Sequence, residues 1–305
     1  MDTRVSYAGL ELKNPVLTAS GTFGFGLEFM RYGDLSKLGG IVVKGMSLKP
    51  REGNPMPRLA ETPCGMLNAI GIQNPGVEVF VKNKLPKLPW KETAIIANLY
   101  ACDAQEFGDL AGVLAGEEGV AALEVNVSCP NVKEGGIAFG QDPTQIRKVT
   151  EAVKKQAGNK PVIVKLSPNV TDITQAAIAA EEGGADGLSL INTLSGMAVD
   201  IEKRTPRLAN VIGGLSGPAV KPVALRCVWQ VYNAVKIPVM GLGGISTVED
   251  IFEFLLVGSQ CIQVGTANFL RPDMAFRLVD EIPATMERLG IEKLSDYTGA
   301  LKVGL

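Results

Sequence analysis

The sequence predicts an α/β protein in which strands and helices alternate to form a (β/α)8 TIM barrel. Eight short apolar runs recur along the 305 residues, and amphipathic stretches lie between them. The runs are continuously hydrophobic rather than alternating, as expected for parallel strands that are buried on both faces. Because one such barrel fills about 250 residues, we expect a single domain that spans residues 1–305.

The elements follow one another in a regular order. The predicted strands are PVLTAS (15–20), GIVVKG (40–45), AIIANL (94–99), AALEVNV (121–127), PVIVKL (161–166), GLSLIN (187–192), PVMGLGG (238–244) and CIQVG (261–265). Helix candidates between these strands include residues 143–158, 172–184, 218–235 and 247–258. Before the first barrel strand, residues 5–14 predict a small β-hairpin in a position to plug the bottom of the barrel.

Two connections are much longer than the others. Residues 47–76 and 192–217 each follow a predicted strand, so both are expected to rise over the carboxyl-end mouth of the barrel. Loops of this length inside a compact domain are usually functional or disordered.

Composition excludes several classes of function. Hydrophobic residues make up 46% of the chain, charged residues 20%, and the formal net charge is -2, so no basic field points to nucleic acid. The amino terminus lacks the pattern of a signal peptide, and no apolar run reaches the roughly 18 residues that a membrane span needs. We expect a cytoplasmic protein without a membrane partner.

The cysteines and the absence of histidine limit the chemistry further. Cys64, Cys102, Cys129, Cys227 and Cys261 are scattered without a C-x-x-C pair, which predicts free thiols and no metal site. The chain contains no histidine, which excludes Ser-His-Asp triads and most zinc sites. Proton transfer must therefore use Cys, Lys, Asp, Glu or Tyr.

Polar side chains interrupt the apolar strands near their carboxyl ends. They are Lys44, Asn98, Asn126, Lys165 and Asn192. Each could separately cap a helix or meet solvent. Five together favour a ligand, because buried polar groups cost free energy unless they have a partner.

Glycine-rich turns follow the last two predicted strands. They are GLGGIST (241–247) and VGTANFL (264–270), where backbone amides and a following helix can hold an anion. The alternative is two tight βα turns without a ligand. Barrels often bind phosphate at this position, which favours a phosphorylated cofactor or substrate.

Cys129 lies in NVSCPN (126–131), directly before a glycine-rich loop. A cysteine reacts as thiolate, and a neighbouring histidine usually produces it. Either Cys129 is a small buried hydrophobe, or it performs chemistry that needs no imidazole. Nearby lysines can favour the thiolate without histidine.

Ordered motifs now identify a resemblance that covers almost the whole chain. They are NPVLTASGTFGFG (14–26), GMLNAIGIQNPG (65–76), NVSCPNVKEGG, VKLSPN, NTLSGMAVDIE (192–202), GGLSGPAVKP (213–222), MGLGGI and QVGTANF. In these motifs the chain resembles the class 1 dihydroorotate dehydrogenases, flavin enzymes of pyrimidine biosynthesis, and most closely the class 1B catalytic subunit. Its NAIGIQN segment is similar to class 1B, and Ala138 stands where the family often has histidine.

The resemblance implies an FMN-binding domain that oxidises (S)-dihydroorotate to orotate on the way to UMP. Cys129 would take the C5 proton of the substrate, and N5 of FMN would take the C6 hydride. The residues implied for FMN are Ser20, Lys44, Gly45, Asn98, Asn126, Lys165, Ile191, Gly217, Gly243, Gly244, Gly265 and Thr266. Those implied for the substrate are Lys44, Asn68, Ala69, Ile70, Gly71, Ile72, Asn126, Asn192 and Thr193.

The resemblance also implies a partner. Class 1B enzymes pair this subunit with an electron-transfer subunit that carries FAD and a [2Fe-2S] cluster and reduces NAD, as two subunits of each kind. The spacing of the cysteines in this chain suits no [2Fe-2S] cluster, which agrees with a cluster that is bound by the partner subunit. Alternatives are a fumarate-linked class 1A-type enzyme, a related flavin reductase acting on uracil, a flavin-free phosphate-binding lyase or synthase, and a scaffold on a disabled barrel.

Overall fold

The computed structural model describes residues 1–127 and 139–304, so Cys129 and Ala138 lie outside the described residues. The strands are β1 (Val5–Tyr7), β2 (Leu10–Leu12), β3 (Val16–Thr18), β4 (Gly40–Val42), β5 (Leu59–Thr62), β6 (Gly65–Asn68), β7 (Ala94–Leu99), β8 (Ala122–Asn126), β9 (Val162–Lys165), β10 (Gly187–Leu190), β11 (Leu194–Met197), β12 (Val199–Asp200), β13 (Thr205–Pro206), β14 (Ile212–Ser216), β15 (Val239–Leu242) and β16 (Ser259–Val264).

The helices begin after the barrel strands or in the connections. They are α1 (Val77–Val79), α2 (Ala104–Ala115), α3 (Pro143–Gln156), α4 (Ile173–Glu182), α5 (Lys221–Tyr232), α6 (Val248–Leu256), α7 (Ala267–Leu270) and α8 (Met274–Leu289). Aspartates at the N-caps of α2, α3 and α4 accept backbone N–H groups of the first turn, which explains where these helices begin. No helix in the described part of the chain is both long and apolar enough to cross a bilayer.

Eight parallel strands close into a barrel in the order β10, β15, β16, β3, β4, β7, β8, β9. Each strand corresponds to one of the predicted apolar runs, which confirms the (β/α)8 prediction. The four named helix candidates also form, although α5 begins only at Lys221, because a 3-10 turn, Pro218–Val220, precedes it.

The amino-terminal hairpin closes the amino end of the barrel, as predicted. β1 and β2 pair antiparallel, and the Tyr7 hydroxyl donates to the Leu188 carbonyl at 2.9 Å. A Cβ on Gly187, the first residue of β10, would lie 2.9 Å from that hydroxyl. Burial raises the pKa of Tyr7 well above its usual value, with smaller contributions from Cys261 and Glu124, so the phenol stays a neutral donor.

The two long connections form one antiparallel sheet rather than irregular loops. Its order is β11, β14, β6, β5, so strands from residues 47–76 pair with strands from residues 192–217. The pairing satisfies backbone groups that long irregular loops would leave exposed. Because β11 begins shortly after β10 ends, the sheet starts from the carboxyl end of the barrel, on the side that the sequence predicted.

Candidate active site

The five polar residues lie at or near the carboxyl ends of five consecutive strands of the barrel. β4, β7, β8, β9 and β10 are neighbours in that order. Asn126 and Lys165 are the last residues of β8 and β9 and pair with each other, while Asn98 lies near the end of β7. Lys44 and Asn192 lie just beyond the ends of β4 and β10. The structure therefore brings all five to one side of the mouth, and their roles stay predictions.

Hydrogen bonds order the amide side of this group. Asn192 Nδ2 donates to Asn126 Oδ1 at 3.2 Å, and the Thr193 N–H donates to Asn192 Oδ1 at 2.8 Å. Asn169, which the sequence analysis did not single out, donates from Nδ2 to the Thr193 carbonyl at 2.9 Å and accepts from the Ser195 N–H at 2.9 Å. Asn169 ends the SPN motif after β9, and this position was the available signal.

The predicted substrate segment, residues 68–72, leads from the antiparallel sheet toward the mouth. Asn68 lies opposite Gly214 in the sheet and donates from Nδ2 to its carbonyl at 3.3 Å. The N–H of Ala69 and the carbonyl of Ile70 are bonded to Arg58 and Asn54, which fixes the backbone on both sides of the segment.

The end of that segment has an unusual backbone. Gly71 and Ile72 have φ values of 73° and 56°, and the second is rare for a β-branched residue. Asn74 Nδ2 donates to the Ile72 carbonyl at 2.9 Å and holds this turn. A Cβ on Gly45 would lie 3.8 Å from Ile72 Cγ2, so the segment reaches the neighbourhood of Lys44.

Lys44 is a partly buried cation. Its backbone N–H donates to the Gly24 carbonyl at 2.8 Å, which fixes the chain at the end of β4. Burial lowers the pKa of Lys44, the positive charge of Arg58 lowers it further, and Glu28 opposes both effects. An ammonium that has lost part of its solvation, and that lies near a second cation, suits an anionic ligand.

Glycines form a cradle on the other side of the mouth. Gly217, Gly243 and Gly244 have φ values of 104°, 129° and 81°, a region that favours glycine. A Cβ on Gly244 would lie 3.0 Å from the Gly217 carbonyl oxygen and 2.8 Å from Lys221 Cβ. The turns after β14 and β15 therefore touch backbone to backbone.

The remaining predicted FMN positions adjoin these turns. A Cβ on Gly243 would lie 3.3 Å from Ile191 Cγ1, and one on Gly265 would lie 3.5 Å from Ala19 Cβ, next to Ser20. The Thr266 hydroxyl donates to Ser216 Oγ at 2.7 Å, which joins the turn after β16 to the residue before Gly217. We call Gly217, Gly243, Gly244, Gly265 and Thr266 the glycine cradle.

The helix that follows the first glycine turn is already capped. The Asp250 carboxylate accepts from the N–H groups of Ser246 and Thr247 at 2.7 and 2.9 Å and binds Lys221 Nζ at 2.6 Å. This end of α6 therefore has its own carboxylate, contrary to the idea that it holds an anion directly. A phosphate would instead use the amides of the cradle.

A buried carboxylate that the sequence analysis missed lies beneath the polar strand ends. Glu124 on β8 is fully buried at 0% exposure and accepts from Asn98 Nδ2 at 2.6 Å, Ser189 Oγ at 2.8 Å and Gln263 Nε2 at 2.6 Å. Lys165 Nζ lies 3.9 Å from its Oε2 atom. The signal was a single acidic residue inside an apolar run, two positions before Asn126.

The residues present fit the FMN that the resemblance implies. Within residues 1–127 and 139–304, Asn98 Oδ1 is a buried oxygen without a hydrogen-bond partner, and it lies 2.7 Å from where a Gly45 Cβ would stand. A ring N–H is a suitable partner for it. The glycine cradle offers the close backbone approach that a phosphate requires.

The cysteines described by the structure are free thiols. Cys227 and Cys261 are buried, and burial raises the pKa of both thiols, so neither is a good nucleophile. Cys64 is exposed and Cys102 is partly exposed. None of these four cysteines belongs to the five polar residues near the strand ends or to the glycine cradle.

Known proteins of one family match almost the whole length of this chain. The family model described as dihydroorotate dehydrogenase matches residues 3–286. A protein of Maridesulfovibrio salexigens named dihydroorotate dehydrogenase B (NAD(+)), catalytic subunit, is 78% identical over 303 residues, or 99% of each chain. Proteins of the same name from Solidesulfovibrio magneticus and Geobacter sp. are 70% and 55% identical, covering 100% and 99% of this chain and 99% of their own.

Both the matched length and the identities far exceed what a shared barrel architecture alone produces. The family predicted from the ordered motifs is thereby confirmed, and the chain belongs to the dihydroorotate dehydrogenase family.

Proposed function

We propose that this chain, as one domain over residues 1–305, is the FMN-binding catalytic subunit of an NAD-linked dihydroorotate dehydrogenase. It oxidises (S)-dihydroorotate to orotate in the synthesis of UMP. The observation that carries the proposal is the arrangement at the mouth, where two lysines and three amides lie at or near the carboxyl ends of five consecutive strands and the turns after β15 and β16 contribute to the glycine cradle. The name of the relatives, which includes NAD(+) and a catalytic subunit, supports the substrate and the acceptor.

The glycine cradle and its neighbours would hold FMN. The backbone amides of Gly243, Gly244, Gly265 and Thr266 suit the phosphate, and Asn98 Oδ1 offers an acceptor to the ring. Ser20, Lys44, Gly45, Asn126, Lys165, Ile191 and Gly217 complete the proposed set. When bound, FMN supplies the electron acceptor for C6 of the substrate.

The amides and Lys44 would bind the substrate. A dihydropyrimidine carries ring N–H donors and carbonyl acceptors, and each asparagine offers both kinds of group. The bonds among Asn126, Asn192 and Thr193 hold those groups in fixed directions before a ligand arrives. Lys44, in a partly buried position, suits the substrate carboxylate, and residues 68–72 would cover the ring.

Cys129 is the proposed base. Its thiolate sulfur removes the proton from C5, a carbon next to a carbonyl, and this step requires no imidazole. Lys165, whose ammonium lies 3.9 Å from a Glu124 oxygen, places positive charge beneath the site where negative charge develops. The glycine-rich loop that follows Cys129 is proposed to exclude water from the ring.

The proposal includes a second protein. The relative's name includes the words "catalytic subunit", which apply to enzymes made of more than one kind of chain, and this supports an electron-transfer partner here. We propose that this partner carries FAD and a [2Fe-2S] cluster and that the assembly contains two subunits of each kind. The cytoplasm is the proposed compartment.

Steady-state assays with and without the partner test the assignment. The chain and its partner should together reduce NAD in the presence of dihydroorotate, while the chain alone should not. Rapid turnover of the isolated chain with fumarate would overturn the NAD-linked assignment. Absence of flavin from properly folded protein would overturn the whole proposal and favour a flavin-free barrel enzyme.

A further inference from the structure

Buried polar side chains form a layer beneath the mouth, and one of them, Glu124, is in neither the proposed FMN set nor the proposed substrate set. The interior of a (β/α)8 barrel is usually filled by branched apolar side chains. Here Asn98, Glu124, Ser189 and Gln263 are all at most 1% exposed, and Lys165 is 5% exposed. They come from five different strands and meet at the Glu124 carboxylate. Such a layer needs a reason, because burying polar groups is costly.

The carboxylate determines how its neighbours are oriented. An ionised carboxylate only accepts hydrogen bonds, so each neighbour must turn a donor toward it. Asn98 and Gln263 both present their amide nitrogens, at 2.6 Å each. Their oxygens, Asn98 Oδ1 and Gln263 Oε1, then point away, and within the described residues both are buried without a hydrogen-bond partner.

The Asn98 oxygen is buried beside Gly45, one of the proposed flavin positions. It lies 2.7 Å from the position of a Cβ on Gly45, so only glycine leaves room above it. Gly45 follows Lys44 at the mouth. A lone acceptor at this position is complementary to an N–H group on the edge of a flat ring, and incompatible with a second acceptor.

We propose that Glu124 is a positioning residue for the cofactor: it fixes the Asn98 amide with its oxygen toward the flavin ring, and it places a negative charge beside Lys165. The inference rests on the proposed function, since FMN is the group that Asn98 would meet. Glu124 acts through Asn98 and Lys165 and need not touch the flavin.

Glu124→Gln tests this orientation with almost no change in volume. Glutamine has one oxygen and one NH2 group. Ser189 and Gln263 both donate to Oε1, so the new oxygen should stay with them, and the new NH2 group should face Asn98. Asn98 must then rotate its amide and turn its NH2 group toward the ring N–H, where two donors meet.

Two readouts are expected to change. FMN should bind the apoprotein about tenfold more weakly or worse, because a ring hydrogen bond is lost and replaced by a clash of donors. The midpoint potential of bound FMN should rise, because reduction adds negative charge near a site that has lost one. A tenfold shift in the ratio of reduced to oxidised flavin corresponds to about 30 mV for a two-electron couple.

Ser189→Ala is the matched control. It removes one hydrogen bond to the same carboxylate but leaves the charge and the Asn98 contact in place. This variant should lower thermal stability while FMN affinity stays within about twofold and the potential stays unchanged. Equal effects of both variants on FMN would show a merely structural role for the layer and would overturn the proposal.

A charge exchange provides the rescue. In the double variant Asn98→Asp with Glu124→Gln, net charge is conserved. The new carboxylate at position 98 can accept from the new amide at position 124 while directing its other oxygen toward the ring. FMN affinity should return to within about threefold of wild type. If Glu124→Gln alone does not fold, this double variant decides: folded protein that fails to bind FMN would overturn the proposal.

The measurements are fluorescence titration of apoprotein with FMN and reduction by dithionite against a reference dye. Neither uses dihydroorotate, so the two hypotheses are separated. Wild-type protein that binds no FMN would refute the proposed function. Wild-type protein that binds FMN, with a Glu124→Gln variant of the same affinity and potential, would refute only the role of Glu124.

Discussion

Replacing Gly244 by alanine tests whether the glycine cradle holds the cofactor phosphate. Gly244 has a φ of 81°, and an added Cβ would lie 2.8 Å from Lys221 Cβ, 2.9 Å from the Lys221 nitrogen and 3.0 Å from the Gly217 carbonyl oxygen. Lys221 is paired with Asp250 and Glu253 at 2.6 and 3.0 Å, which restricts its side chain. The new methyl group must therefore separate the two turns of the cradle.

The expected magnitude follows from two contributions. Positive φ costs a non-glycine residue about 1–2 kcal/mol, partly offset by about 0.4–1 kcal/mol from the less flexible unfolded chain. Overpacking adds about 1–3 kcal/mol. If the displaced turn loses one charge-assisted hydrogen bond to the phosphate, FMN affinity should fall by about 1.5–3 kcal/mol, which is roughly 10- to 150-fold.

Gly290→Ala is a control of the same kind. Gly290 follows α8 with a φ of 68°, and a Cβ there would meet nothing within 4 Å. It should carry the cost of positive φ alone and leave FMN binding unchanged. Unfolding of both apoproteins and titration with FMN provide the comparison.

If Gly244→Ala bound FMN as tightly as wild type while unfolding at a lower temperature, the glycine cradle would not be the phosphate site. The same would follow if Gly290→Ala weakened FMN binding to the same extent, because the loss would then reflect general instability.

Three further predictions concern Cys129, Lys165 and Lys44. Cys129→Ala should keep FMN yet slow flavin reduction by dihydroorotate by about 10² to 10⁴, with Cys64→Ala as the unaffected control; a near-normal rate in stopped-flow absorbance would remove Cys129 from the mechanism. Lys165→Met should lower the free energy of unfolding by about 3–5 kcal/mol in denaturant melts, because Glu124 stays buried without the ammonium at 3.9 Å, and should slow flavin reduction more than it weakens orotate binding. A change in orotate affinity alone would contradict that role. Because burial lowers the pKa of Lys44, its positive charge should be lost at a lower pH than the charge of an exposed lysine, so orotate affinity should fall as pH rises. Lys44→Gln should bind orotate more weakly, and its affinity should not change with pH over the range in which Lys44 loses its charge. If the variant kept the pH dependence of wild type, Lys44 would be excluded as its source.

The barrel strands could be predicted because their signal is local. Each strand is a short apolar run between polar turns, and strands buried on both faces need little else to be recognised. AIIANL is an example, since the predicted run and the observed strand have the same bounds, Ala94–Leu99. The predicted start of α5 at residue 218 was wrong, because Pro218 begins a 3-10 turn and the helix proper begins at Lys221.

The antiparallel sheet over the mouth could not be predicted in the same way. Its central contact joins Asn68 to Gly214, which are 146 residues apart. Pairing of this kind depends on where the barrel places the two segments, and neither segment has the strong apolar pattern of a core strand. The sequence indicated only that both segments follow strands.

The candidate site was partly predictable. Its polar residues stand out against apolar strands, and the convergence of Lys44, Asn98, Asn126, Lys165 and Asn192 follows once the barrel is assumed. Glu124 was missed, although residues two apart on a strand point to the same face and it lies two before Asn126. Its significance depends on donors from other strands, which only the folded structure brings together.

The most direct test of the account is an anaerobic titration of the isolated chain with dihydroorotate, followed by the visible absorbance of its bound flavin. The colour should bleach as substrate is added, and NAD alone should not restore it until the electron-transfer partner is present. Flavin that stays oxidised in the presence of excess dihydroorotate would contradict the central claim that this site oxidises that substrate.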